Sequence, residues 1–184
     1  MTATNKIIVG MVFLLISLQS HAQRALEKRN GTFNLNYQFN FTDDSETKNN
    51  ASSGQSIVVN RSFTIDRLLS LAPAVNYTFL QDYKRAHNFS LGADALLYPL
   101  HLISILKEED YDPVKDKYFM SLGYYKTLNN GGINSIFNMN FYVFTFAIGN
   151  QLKISPTIGA SFYKQKERDI EDLNFYNIGL NFRF

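Results

Sequence analysis

Leu173-Asn174-Phe175-Tyr176-Asn177-Ile178-Gly179-Leu180-Asn181-Phe182-Arg183-Phe184 is the stretch whose reading decides the fold. Taken with a period of two, Tyr176, Ile178, Leu180, Phe182 and Phe184 fall on one face. Asn177, Gly179, Asn181 and Arg183 fall on the other. Such alternation is the mark of a β-strand with one apolar and one polar side. The strand runs to Phe184 itself, and a soluble sandwich has no reason to finish on an exposed aromatic. In a transmembrane barrel the last strand closes the wall and its apolar side meets lipid.

The same pattern recurs at the other end of the expected domain. In Gly31–Thr42, Phe33, Leu35, Tyr37, Phe39 and Phe41 alternate with Asn34, Asn36, Gln38 and Asn40. The outward set is large and apolar. The inward set is entirely amide, suited to a hydrogen-bonded lumen. Ahead of it, Lys6 precedes an apolar run from Ile7 to Leu18, and Ser20 and Ala22 are small residues at −3 and −1. That arrangement predicts a secretory signal peptide over residues 1–22, cleaved after Ala22. A membrane anchor would need about 20 apolar residues. The remaining residues, 23–184, are expected to form one barrel domain.

Composition agrees. There are 16 Phe and 11 Tyr but no Trp and no Cys, which excludes disulfides and thiolate metal sites. The 18 basic and 16 acidic residues nearly balance, so nothing argues for nucleic acid. Mean hydropathy is slightly negative, as expected where lumen residues cancel an apolar wall.

Between the two ends, six further strands are expected, near Ser56–Ile65, Leu71–Leu80, His87–Tyr98, Lys117–Leu128, Ile133–Ile148 and Gln151–Tyr163. Asp43–Gln55, Gln81–Ala86 and Lys164–Asp172 read as polar or charged loops; Asp66–Ser70, Asn129–Gly132 and Gly149-Asn150 read as turns. Arg61 shares the apolar face of strand two, which requires either a bulge or a place at the rim; the rim is preferred. Pro73 predicts imperfect pairing in strand three. Pro99–Lys117 is expected to hold a short interfacial helix or a strand extension. Eight strands allow about 20 residues each with a connection, enough for the 9–11 that cross a bilayer. The expected fold is all-β: an eight-stranded antiparallel up-and-down transmembrane barrel. The competing fold is a soluble β-sandwich or lipocalin-like barrel, with the large residues facing a dry core and the Asn face wet.

The closing strand resembles the C-terminal assembly signal of bacterial outer-membrane barrels, carried here by Tyr176, Ile178, Leu180, Phe182 and Phe184. With the signal peptide, the chain resembles the small OmpX- and OmpW-like barrels of Gram-negative bacteria. The resemblance implies the cell outer membrane, with its lipid and lipopolysaccharide and the barrel-assembly machinery as partners, and leaves room for an unknown surface partner. The class includes adhesins, stress-linked barrels and lipid-modifying enzymes, so fold alone does not transfer a function.

Candidate chemistry is sparse. Lipid-deacylating barrels place His and Ser two apart on one strand. Here His87 and Ser90, and likewise His101 and Ser104, are three apart and would face opposite ways on a strand. No catalytic set, cofactor site or metal motif is expected. Asp94, Lys153 and Arg183 fall on inner faces, where they form either a binding or relay site or, preferred here, a polar plug filling a narrow lumen. The functional expectation is a non-enzymatic surface-binding or membrane-structural role through the loops. The alternatives are a lipid A- or phospholipid-modifying enzyme and an accessory subunit of an export or conjugation machine.

Overall fold

A computed structural model describes residues 31–42, 53–81, 87–129, 132–148, 152–166 and 173–184. The signal peptide expected over 1–22 lies outside the described residues. So do residues 43–52, 82–86, 130–131, 149–151 and 167–172 of the expected loops and turns.

The strands are β1 (Thr32–Phe41), β2 (Ser53–Thr64), β3 (Leu69–Leu80), β4 (His87–Leu97), β5 (Phe119–Thr127), β6 (Ile133–Tyr142), β7 (Phe146–Ile148), β8 (Leu152–Gln165) and β9 (Leu173–Arg183). Helix α1 (Pro99–Leu106) and a 3₁₀ turn (Pro113–Lys117) fill the connection from β4 to β5. Each strand from β1 to β6 pairs antiparallel with the next, β6 pairs with β8, and β8 with β9. The circle then closes, because β9 pairs antiparallel with β1 from Asn34↔Arg183 to Phe41↔Tyr176. The Phe184 amide adds a bond to the Phe33 carbonyl at 2.9 Å. The result is an eight-stranded, closed, up-and-down barrel, with β7 as a short extra piece on β8.

The wall is inverted relative to a soluble barrel. Along β1, Asn34, Asn36, Gln38 and Asn40 are buried while Phe33, Leu35, Phe39 and Phe41 are exposed. β9 repeats this with Asn177, Asn181 and Arg183 inside and Tyr176, Ile178 and Leu180 outside. Closure excludes the sandwich, and the outward-facing Phe and Leu exclude a lipocalin-like barrel with its large residues around a dry core.

Several boundaries differ from the sequence reading. The sixth expected strand is two pieces, broken at 143–145. β5 stops pairing at Phe119↔Tyr142, so beyond Tyr142 the chain has only β8 to follow. There the Thr145 hydroxyl donates to the Lys117 carbonyl at 3.1 Å. The turn after β2 is shorter than expected. Asp66 accepts from the amides of Leu68 and Leu69 at 2.7 and 2.8 Å, an Asx-type turn that lets β3 start at Leu69. β8 runs through Gln165 and takes in Lys164, expected in the loop. The Pro99–Lys117 connection holds a short helix, as one of the two readings had it, and not a strand extension.

Arg61 lies on the outer face near the end of β2, beside the 65–68 turn and away from the polar loop. Its guanidinium sits 5.2 Å from the Phe33 ring and 5.6 Å from the Phe63 ring. No bulge is involved: Asn60↔Ala74 and Phe63↔Leu71 keep one register. The ladder skips only the two pairs between them, where Pro73 supplies no amide donor.

Candidate functional site: the polar lumen and the helical clip

Inward side chains fill the barrel in three layers. At the loop end, Leu80, Ile133, Ile136, Tyr163, Leu173 and Phe175 are buried together. Sequence periodicity hides the β6 part of this cap, because a register shift between Ile133 and Ser135 turns Ile133, Ser135 and Ile136 all inward. At the turn end, Leu96, Tyr98, Phe119 and Tyr142 form a second apolar cluster. Its centre is the Phe119–Tyr142 stack, with ring centroids 4.0 Å apart and planes within 7°.

Between the caps lies a hydrogen-bonded polar layer. Arg183 Nε donates to Asn34 Oδ1 at 3.3 Å. Asn34 Nδ2 donates to Asn60 Oδ1 at 2.7 Å, and Asn60 Nδ2 donates to Asp94 Oδ2 at 2.5 Å. The Tyr125 hydroxyl donates to the other carboxylate oxygen. Every amide in this chain donates towards Asp94 and accepts from the side of Arg183. Two charges of opposite sign thus orient a head-to-tail relay across β9, β1, β2, β4 and β5. Arg183 also lies over the Phe119 ring at 4.4 Å, a cation–π contact that ties the relay to the lower cap.

Two inner glycines make room for it. A Cβ on Gly123 would strike the Asp94 carboxylate and come within 2.8 Å of Tyr125 Cε2; one on Gly92 would run into the backbone of Tyr124 and Tyr125. A second set crosses the lumen from β1 to β6. Gln38 Nε2 donates to Asn140 Oδ1 at 2.7 Å, and Asn36 Nδ2 donates to the Tyr142 hydroxyl at 3.2 Å.

The three charged residues singled out by sequence are therefore not one cluster. Asp94 and Arg183 are buried and joined through Asn60 and Asn34, without direct contact. Lys153 pairs in register with Arg183 but is exposed at the barrel mouth. Asn34 was expected in the polar interior with Arg183; Asn60 and Tyr125 belong to the site but were not singled out for it. Their only sequence signal is inward parity, which they share with every other lumen residue.

The histidines also separate. His87 is exposed at the loop end, its Nδ1 2.6 Å from the Tyr77 hydroxyl. Ser90 points into the lumen, 3.2 Å from the Thr127 hydroxyl. His101 and Ser104 require a correction. Strand parity would set them on opposite faces, but they lie on α1, where a spacing of three puts them on one side. Both are buried.

His101 Nε2 lies 2.7 Å from Asp116 Oδ1, and the Tyr111 hydroxyl donates to Asp116 Oδ2 at 2.5 Å. The His101 and Tyr111 rings stack at 5.0 Å. Lys115 Nζ donates to the Ser104 hydroxyl and, at 2.7 Å, to Glu109. That hydrogen bond, and then the Lys115 charge, hold the Glu109 carboxyl below its usual range. The clip's Glu109 arm is thus present above the ordinary carboxylate range and lost as pH falls through the lowered value. As arranged, the clip fastens α1 to the 3₁₀ turn with His101 and Ser104 buried, while Lys115 and Glu109 stay partly exposed.

His101→Ala should strip Asp116 of one buried partner, a local cost of about 1–3 kcal/mol. The expected result is faster protease cleavage between residues 98 and 118, with the urea midpoint of the barrel nearly unchanged. Equal loss in both measurements would show that the clip supports the barrel itself.

Among the described residues, no group of His, Cys, Asp and Glu could hold a metal ion. None of their helices is long and apolar enough to cross a membrane, which says nothing of spanning by strands. Taken together, fold and lumen define a closed, side-chain-filled β-barrel with a polar inside and an apolar outside. Comparison with protein-family models finds no match, and comparison with the curated proteins finds none either.

Proposed function

We propose that this chain is exported and resides as an integral barrel in a bacterial outer membrane, with a non-enzymatic surface-binding or membrane-structural role through its loops. The observation that carries the reading is the outer wall. Exposed large apolar residues occur on every one of the eight barrel strands, among them Phe39, Val59, Val75, Leu91, Tyr124, Phe141, Ile158 and Ile178. Monomeric soluble proteins rarely expose a contiguous apolar patch beyond a few hundred Å². A closed barrel is also one of the two structures whose backbone can cross a bilayer with all its polar groups paired. The capped lumen supports a structural role over a channel, and the sealed His101 and Ser104 favour it over lipid-modifying chemistry.

Fractionated cells should hold the protein in the outer membrane, and unboiled samples should migrate faster than boiled ones on denaturing gels. A soluble periplasmic pool without a heat-modifiable band would overturn the reading. The lipid mass profile of a deletion strain tests the enzymatic alternative, which predicts a missing modified species. The genes neighbouring this one test the accessory-subunit alternative.

A further inference from the structure

The connection between β4 and β5 carries its polarity the wrong way round for a helix in water. His101 and Ser104 face the clip, while Leu102, Ile103, Ile105 and Leu106 face away from it. Leu106 is 76% exposed, and the other three are between 43% and 49% exposed. Pro99–Leu106 contains no charged residue, so nothing on the outward face requires water.

This is the inversion of the barrel wall repeated on a helix that lies next to β5. Tyr118, exposed at the start of β5 with outward parity, flanks the helix at the same end of the barrel. The clip holds the orientation. Asp116 and Lys115 of the 3₁₀ turn bind the polar side of α1, and that contact dictates which side is left outward.

We infer that α1 is a membrane-interface anchor: its outward face lies among the glycerol and upper acyl groups of the phospholipid leaflet at the turn end of the barrel. The inference rests on the membrane reading above and adds to it a second, shallower lipid contact. Helices of this kind sit about 5–10 Å into the boundary between headgroups and acyl chains. In this chain the protein clip takes the place that water normally has on the polar side of such a helix.

The absence of tryptophan makes the test direct. Leu106→Trp and, as a wall reference, Ile178→Trp each give the full chain a single tryptophan, on a side chain already exposed. Each variant is folded into phosphatidylcholine vesicles brominated either near the glycerol or deep in the acyl chains. The expected result is loss of emission at both positions, with Trp emission of the Leu106→Trp variant quenched more by the shallow bromines and that of Ile178→Trp more by the deep ones. Quenching of the wall reference alone, with water-like red emission from the Leu106→Trp variant, overturns the anchor and leaves the membrane reading standing. Blue-shifted emission from the Leu106→Trp variant without quenching overturns it in favour of a protein cover. No quenching in either variant overturns both readings. Ile105→Trp repeats the measurement on the same face should Leu106→Trp fail to fold.

Discussion

Asp94→Ala is expected to unfold at a markedly lower urea concentration than the native chain, because it leaves two buried donors without their acceptor, each at a cost of about 1–3 kcal/mol. The carboxylate terminates a chain of donors. Its removal strands the Tyr125 hydroxyl and the Asn60 amide, both of which lie buried between the two apolar caps. The loss should extend to Arg183, because the Asn34 and Asn60 amides are then no longer polarised towards an anion.

Asp94→Asn makes the comparison informative. Its carbonyl oxygen can still accept from Asn60, and its amide can donate to Tyr125, whose hydroxyl serves as donor or acceptor. It should therefore cost less than half as much as Asp94→Ala. Equal losses for the two variants would show that the negative charge, rather than the ordered relay, holds the lumen together. No loss from either would remove the relay as a stabilising element. The measurement is equilibrium urea unfolding, followed by the shift between the fast and slow gel bands.

The second large effect separates the membrane reading from any soluble one. Ile178 lies at the middle of β9, opposite Phe39 of β1 and Ile158 of β8, and its side chain is 53% exposed on the outer wall. In water, arginine at such a position would change stability by no more than about 0.5 kcal/mol. At the midplane of a bilayer it should cost about 2–4 kcal/mol. Ile178→Arg is thus expected to lower stability strongly in phospholipid vesicles and to reduce the folded fraction reaching the membrane. An arginine introduced beside Arg61, for instance at Phe63, should cost much less, since this end of β2 already carries one. Equal, near-zero effects at both positions would mean that the wall faces water.

The period-two pattern was enough to assign the two faces of the wall. Whether a side chain points in or out depends only on the pleat of its own strand, so Asn34, Asn36 and Asn40 could be set against Phe33, Leu35 and Phe39 without knowledge of any neighbour. Closure between β1 and β9 was legible for a related reason: on the transmembrane reading, two strands with matched apolar faces would not be left with open edges in lipid. The helical reading of Pro99–Lys117 could be only half-made, because Leu100–Leu106 has no clear period until one face is committed to a partner. That partner, Asp116, lies fifteen residues on from His101. What only the tertiary structure decided is which inward groups meet. Asn60 reaches Asp94 across a strand, and Asn36 reaches Tyr142 across the lumen, because barrel closure and strand stagger bring distant positions to one height. The same stagger leaves Lys153 exposed at the mouth while Arg183, its partner in the ladder, is drawn in over Phe119. Parity is a local property of the chain, whereas height within a closed barrel is a property of all eight strands together.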